Sequence, residues 1–133
     1  MATLYLLFNH QLTEAQKENA HKVLGVVDIV DLKPWTGDLW SAIPTGEVFP
    51  QKEVDQIIQT LTEKTHPGDF LLVLGEWGAV YYIVDWCFHT GRIPCHTTTS
   101  RKVLEEVATG KNEIDVTRKI FPDSFRLYRQ FSS

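Results

Sequence analysis

Apolar positions fall in short dense runs that alternate with stretches of helical spacing. Thr3 to Phe8 (TLYLLF) is almost continuously apolar and reads as a strand buried on both faces. Thr13 is placed as a helix N-cap, with Gln16 three residues on as its capping-box partner. The helix it opens is predicted from about Glu14 to Leu24, stopping at Gly25. Val27 to Leu32 reads as a second strand, ended by Pro34. Trp35 to Pro50 is a long connection, with one helical turn expected over Asp38 to Ile43. A second helix, about Gln51 to Thr65, carries Val54, Ile57, Ile58 and Leu61 on one stripe. After the turn His66-Pro67-Gly68-Asp69, Phe70 to Leu74 is a third buried strand. Ala79 to His89 follows as a helix apolar around most of its circumference, ended by Gly91, and Ile93 to Thr97 is a fourth strand. The tail then favours strands over Lys102 to Ala108, Glu113 to Phe121 and Phe125 to Tyr128, with Gly110-Lys111-Asn112 as a hairpin turn.

Strand–helix alternation predicts an α/β, Rossmann-like fold: a parallel sheet flanked by helices, in strand order 2-1-3-4, with a C-terminal β-hairpin extension. The whole chain, residues 1–133, is expected to form one domain. On open sheets of this kind ligands bind beyond the carboxyl ends of the strands, where the chain direction reverses. That point lies between strands one and three. Its loops are Asn9-His10 and Gly75-Glu76-Trp77-Gly78, with Thr97 to Arg101 next door after strand four. The third helix, with Tyr81, Tyr82, Ile83, Val84, Trp86 and Phe88, is too apolar for a solvent face. Its second cover is expected to be another subunit, in a two-fold homodimer.

Composition narrows the class. Of 133 residues 43% are hydrophobic and 23% charged, which excludes a disordered chain. No apolar run approaches the about 18 residues of a membrane span, and Met1 to Phe8 lacks a basic leader and a small-residue cleavage site, so a cytoplasmic protein without membrane partners is expected. Two cysteines, Cys87 and Cys95, exclude a disulfide scaffold. The net charge of −4 argues against long nucleic acid as a partner. The charge is uneven: residues 1–91 hold five Lys/Arg and twelve Asp/Glu, a sum of −7, while residues 92–133 hold eight and five, a sum of +3. A small anion would therefore be favoured near the C-terminal third; an ordinary solvated surface is the plainer reading of the same numbers.

Candidate chemistry follows from the strand exits. Gly75 and Gly78 leave room for a ligand, and the helix they precede offers free N–H groups to an anion. Glycine at such a turn also serves geometry alone, and the motif is neither a Walker loop nor a dinucleotide fingerprint. Trp77 can stack on a nucleobase, or pack as a lid or dimer contact. Thr97 to Arg101 sets four hydroxyls beside a guanidinium, a group that forks onto phosphate; Thr98, Thr99, Ser100 and Arg101 are candidate ligands. Asn9 and His10 leave strand one, and an imidazole there is a candidate for proton transfer or for a simple hydrogen bond. Glu76 is a base or an ion-pair partner. No metal site is expected. Cys87 and His89 lie about 200° apart on a helix, and Cys95 and His96 point to opposite faces of a strand, so the cysteines read as core residues.

Four segments together resemble one family: Leu6 to His10, Gly68 to Ala79, Ile93 to Arg101 and Phe125 to Tyr128. They are similar to the small CRISPR-associated proteins built of little more than a CARF domain, the stand-alone ring nucleases. The resemblance spans nearly the whole chain, and the order and spacing of short motifs carry it. It implies a homodimer of Rossmann-like subunits that binds cyclic oligoadenylate, most often the four-adenylate ring, across the two-fold axis. It also implies opening of that ring without metal or cofactor, each ribose 2′-hydroxyl attacking its adjacent phosphorus, which ends a type III antiviral signal. On this reading His10, Ser100 and Arg101 are the catalytic candidates. Asn9, Gly75, Glu76, Trp77, Gly78, Thr98 and Thr99 are the ligand-binding ones. A non-cleaving sensor or sink, and an unrelated flavodoxin-like nucleotide-binding protein, are the competing readings.

Overall fold

The computed structural model describes residues 2–110 and 113–131, with side chains over 2–99 and 123–131. The chain builds a five-stranded sheet in the order β2-β1-β3-β4-β5. Strands β1 (Thr3–Leu7), β2 (Asp28–Asp31), β3 (Phe70–Val73) and the start of β4 (Ile93–Gly110) run parallel. Strand β5 (Glu113–Leu127) returns antiparallel along β4. The expected α/β class, strand order and antiparallel C-terminal strand pair are present; Lys111 and Asn112 of the expected hairpin turn lie outside the described residues.

Alternation along β1 explains its continuous apolar run. Leu4 and Leu6 enter a core with Leu72, Cys95 and Phe125 on one face. Tyr5 and Leu7 pack on the other, with Leu71, Val73, Leu32 and Ile83. A strand covered on both sides has no polar face to offer. The first cover is α1 (Glu14–Asn19), which widens into a π-helical turn over Ala20–Leu24 and ends at Gly25, φ +69°. The expected capping box is formed: Thr13 Oγ1 accepts from the Gln16 N–H at 3.1 Å, and Gln16 Oε1 accepts from the Thr13 N–H at 2.9 Å. Where the helix widens, Asn19 Oδ1 accepts the Phe125 N–H at 2.8 Å and ties this face to β5. The second cover is α3 (Gln51–Lys64) and α4 (Trp77–Thr90). Helix α3 buries Val54, Ile57 and Leu61, the stripe read from the sequence.

Three expectations are corrected. A short helix not expected from the sequence, α2 (Lys33–Thr36), directly follows β2, where Pro34 was expected only to end the strand. Asp31 Oδ1 accepts the Lys33 N–H at 2.9 Å and starts it, so Pro34 lies in a first helical turn, where its missing N–H costs nothing. Residues 37–42 are a run of turns closed by the Ala42 N–H on the Asp38 carbonyl at 2.9 Å. Helix α4 begins two residues early, taking in Trp77 and Gly78. The tail segments fuse into two long strands. Thr97 to Arg101 is therefore not a strand exit but mid-strand, with Thr97 opposite Phe125, Ser100 opposite Phe121 and Arg101 opposite Ile120. A register irregularity between Thr97 and Thr99 absorbs the misfit, and β-branched threonines suit a strand as well as a loop.

Candidate functional site

The carboxyl ends of β1 and β3 are adjacent, since β1 pairs with both β2 and β3 and the chain reverses there. Phe8, Asn9 and His10 leave β1, Leu74 and Gly75 leave β3, and these five line one cavity of about 210 Å³. His10 is exposed and meets the Phe8 ring edge-on at 5.4 Å. All three strand exits, Asn9-His10, Gly75 to Gly78 and Thr97 to Arg101, are expected to converge; Asn9, His10 and Gly75 do, while Glu76 and Gly78, Trp77, and Thr97 and Thr98 line other concavities.

Behind the Leu74-Gly75 turn stands Trp40, 4% exposed, whose Nε1 donates to the Leu74 carbonyl at 2.9 Å. A Cβ on Gly75 would stand 2.8 Å from that indole. Gly75 is thus required where the turn crosses the tryptophan; its glycine serves packing first. On the other side of the turn a second concavity, about 280 Å³, lies between the 44–50 segment and Glu76 and Gly78.

Glu76 answers the question of the free amides. It is the N-cap of α4, its carboxylate accepting the Gly78 N–H at 3.0 Å and the Ala79 N–H at 2.7 Å. The anion site expected at this helix start is held by the chain's own carboxylate, a charge well placed against the helix dipole. Sequence reading offered Glu76 as base or ion-pair partner; an acidic residue ahead of a helix was the signal for a cap.

The remaining candidates separate. Trp77 is 90% exposed and faces a different groove along α4. Thr98 Oγ1 donates to the Ser124 carbonyl at 3.3 Å, and Thr98 lines a small cavity of about 130 Å³ beside Gln16 and Asn19. Thr99 is exposed on β4. Ser100 and Arg101 hold their register positions in β4, and their side chains lie outside the described residues. Among the described side chains, sequence reading missed Tyr128, whose hydroxyl donates to the Val73 carbonyl at 2.8 Å and whose ring meets His96 at 4.7 Å. Burial, with Cys95 nearby, raises its phenol above the ordinary value. Both cysteines are fully buried, and desolvation pushes each thiol up to about 12. They are core residues, as read, and poor nucleophiles. Among the described residues no helix is long and apolar enough to cross a membrane.

Fold and crevice together define a Rossmann-like α/β protein with a candidate ligand site at the strand-one/strand-three switch point. The chain belongs to the uncharacterized protein MJ1673 family, which matches it over residues 2–123. It is 31% identical over 131 residues to the uncharacterized protein MJ1673 of Methanocaldococcus jannaschii, covering 98% of this chain and 100% of that relative. No solved structure matches the chain.

Proposed function

We propose that the protein is a ring nuclease of the CARF kind, acting on cyclic oligoadenylate and most readily on the four-adenylate ring. The observation that carries the reading is the meeting of Asn9, His10 and Gly75 in one crevice at the switch point of the sheet. The family resemblance supplies the ligand. Size supports a shared site: about 210 Å³ in one chain is below the about 300–1,000 Å³ of a pocket for a drug-sized ligand, so a ring would need two copies.

The reaction asks little of the protein beyond placement. The ribose 2′-oxygen attacks the adjacent phosphorus and loses its proton; the bond from phosphorus to the 5′-oxygen breaks, and that oxygen takes a proton. The products are a 2′,3′-cyclic phosphate and a 5′-hydroxyl, with no water and no cofactor consumed. In-line placement of the two oxygens is the main requirement. His10, exposed at the crevice, is the group assigned to protonate the leaving 5′-oxygen, and Asn9 to hold ribose or phosphate. Donors for charge growing on the phosphate are assigned to Ser100 and Arg101 on the strength of the sequence. Trp77 is assigned to an adenine.

The test is a cleavage assay in excess EDTA, with protein in excess over cyclic tri-, tetra- or hexa-adenylate and products separated by chromatography with mass detection. Linear products ending in 2′,3′-cyclic phosphate from one ring size are expected. Intact rings eluting with the protein would replace the enzyme by a sensor or sink. Intact rings without binding would remove the reading altogether.

A further inference from the structure

Between α1 and the β4–β5 pair lies a cavity of about 130 Å³ with polar side chains on both walls: Gln16 and Asn19 from the helix, Thr97, Thr98, Asp123 and Ser124 from the strands. Thr97 lies two residues past Cys95, where β4 leaves β3, so the cavity stands at the carboxyl edge of the sheet, as the crevice does. Asp123 is exposed and the other five are half-buried, so it opens to solvent. Two irregularities flank it. A π-helical turn begins directly after Asn19, and the β4–β5 register slips between Thr97 and Thr99. Both kinds of irregularity collect beside functional sites. The polar groups of the cavity are only partly used. Asn19 Oδ1 accepts the Phe125 N–H at 2.8 Å, and Gln16 Oε1 accepts the Thr13 N–H at 2.9 Å. Each amide thus spends its oxygen on the fold. Among the described residues neither amide nitrogen donates, and Thr97 Oγ1 makes no hydrogen bond.

Two amide nitrogens ask for acceptors, and a hydroxyl can take a donor. No Lys, Arg or His lines the cavity and Asp123 does, so an anion is disfavoured. Its volume holds about four waters at about 30 Å³ each. That is well below the about 300–1,000 Å³ of a pocket for a drug-sized ligand, so one flat ring system enters by its edge. A neutral heterocycle that carries both accepting ring nitrogens and a donating amine fits, and adenine is one. We infer that the cavity is a base pocket: an amide nitrogen of Asn19 or Gln16 donates to a ring nitrogen of adenine, and Thr97 Oγ1 accepts from its exocyclic amine. The identity of the base rests on the proposed ring reading. The count of bases agrees with it. A ring of four adenines shared by two copies leaves two bases to each. Trp77, assigned to one adenine, faces the groove along α4, and this cavity takes the second.

The experiment is a titration of the full-length chain with cyclic tetra-adenylate and with two analogues, in which carbon replaces either N7 or N1 of every adenine. The wild type is expected to bind one analogue at least about tenfold more weakly than the parent ring, the size of one net hydrogen bond. Asn19→Asp and Gln16→Glu keep the oxygen that serves the fold and lose the amide nitrogen, and a capping box takes Glu as readily as Gln. Whichever amide meets the base, its variant is expected to bind parent and analogue alike, with an unchanged melting temperature. Comparing rings within one variant cancels the added charge. A wild type indifferent to both analogues, or a preference kept by both variants, overturns the pocket and leaves the ring reading standing. A wild type that binds no ring sinks the ring reading instead. In that case, or if a variant fails to fold, isotope-labelled wild type is titrated with adenosine. The side-chain amide signals of Asn19 or Gln16 are expected to move, and unmoved signals overturn the pocket.

Discussion

The two ends of the parallel sheet are built differently. At the amino-terminal edge the polar groups are used up on one another. Asp69 accepts the Thr3 N–H at 3.2 Å and the His66 N–H at 2.9 Å. Thr65, 2% exposed, takes Arg92 Nε on its hydroxyl at 3.1 Å and Arg92 Nη2 on its carbonyl at 2.9 Å. Arg92 also lies 4.8 Å over the Trp86 ring. Gly91, at φ +77°, lets its carbonyl receive the Gly68 N–H at 2.8 Å. At the carboxyl edge Asn9 and His10 stand exposed around an open crevice. One edge closes the fold, and the other is left with polar groups to offer. Substitutions at the two should therefore split stability from activity.

His10→Ala is expected to show the largest effect. A lost general acid costs about 10²–10⁴ in rate, and an exposed side chain costs little stability. Single-turnover ring cleavage beside a thermal melt measures both. A rate within threefold of wild type would remove His10 from the chemistry.

Asp69→Ala should do the opposite. Hydrogen bonds to a charged acceptor are worth about 1.5–3 kcal/mol each, and two are lost. A loss of about 3 kcal/mol in urea unfolding is expected, with ring affinity unchanged. Equal losses of affinity and stability would mean that the two edges are coupled.

The two edges also differed in how well they could be read from sequence. The sheet, its order, the α1 capping box and the buried cysteines were legible because each rests on a local pattern: alternation, spacing or a cap four residues long. Two bonds that close the amino-terminal edge join residues 27 and 66 positions apart, Arg92 to Thr65 and Thr3 to Asp69. No local pattern announces them. Topology brings Asn9, His10 and Gly75 to one crevice at the carboxyl ends of β1 and β3. Thr97 to Arg101 was misplaced because threonine and serine serve loops and strands alike, and only pairing with β5 decides between them. Gly78 was read as loop because the capping role of Glu76 depends on where α4 starts.

Gly75→Ala tests whether the open edge is itself braced. Its new methyl would meet the Trp40 indole at 2.8 Å, and overpacking of this kind costs about 1–3 kcal/mol. Trp40→Phe removes the indole atoms in the way, so the double variant should recover part of the loss. A double-mutant cycle by urea unfolding reads the coupling, and strict additivity would show that the clash is relieved elsewhere.

The smallest effect is the most discriminating, because Glu76 sits at the open edge and does the work of the closed one. Its carboxylate caps α4 through the Gly78 and Ala79 amides. Glu76→Ala should therefore cost about 1 kcal/mol of stability, the ordinary worth of an N-cap. The same change removes a negative charge one residue beyond the crevice-lining Gly75 and frees two donors at a helix N-terminus, where phosphate is favoured. If a ring phosphate approaches this turn, affinity should rise severalfold while stability falls, and the rise should shrink with added salt as the field is screened. Opposite signs in two measurements cannot come from general damage to the fold. If affinity falls together with stability, Glu76 is holding the turn in its binding shape, and the helix start is scaffold, like the amino-terminal edge.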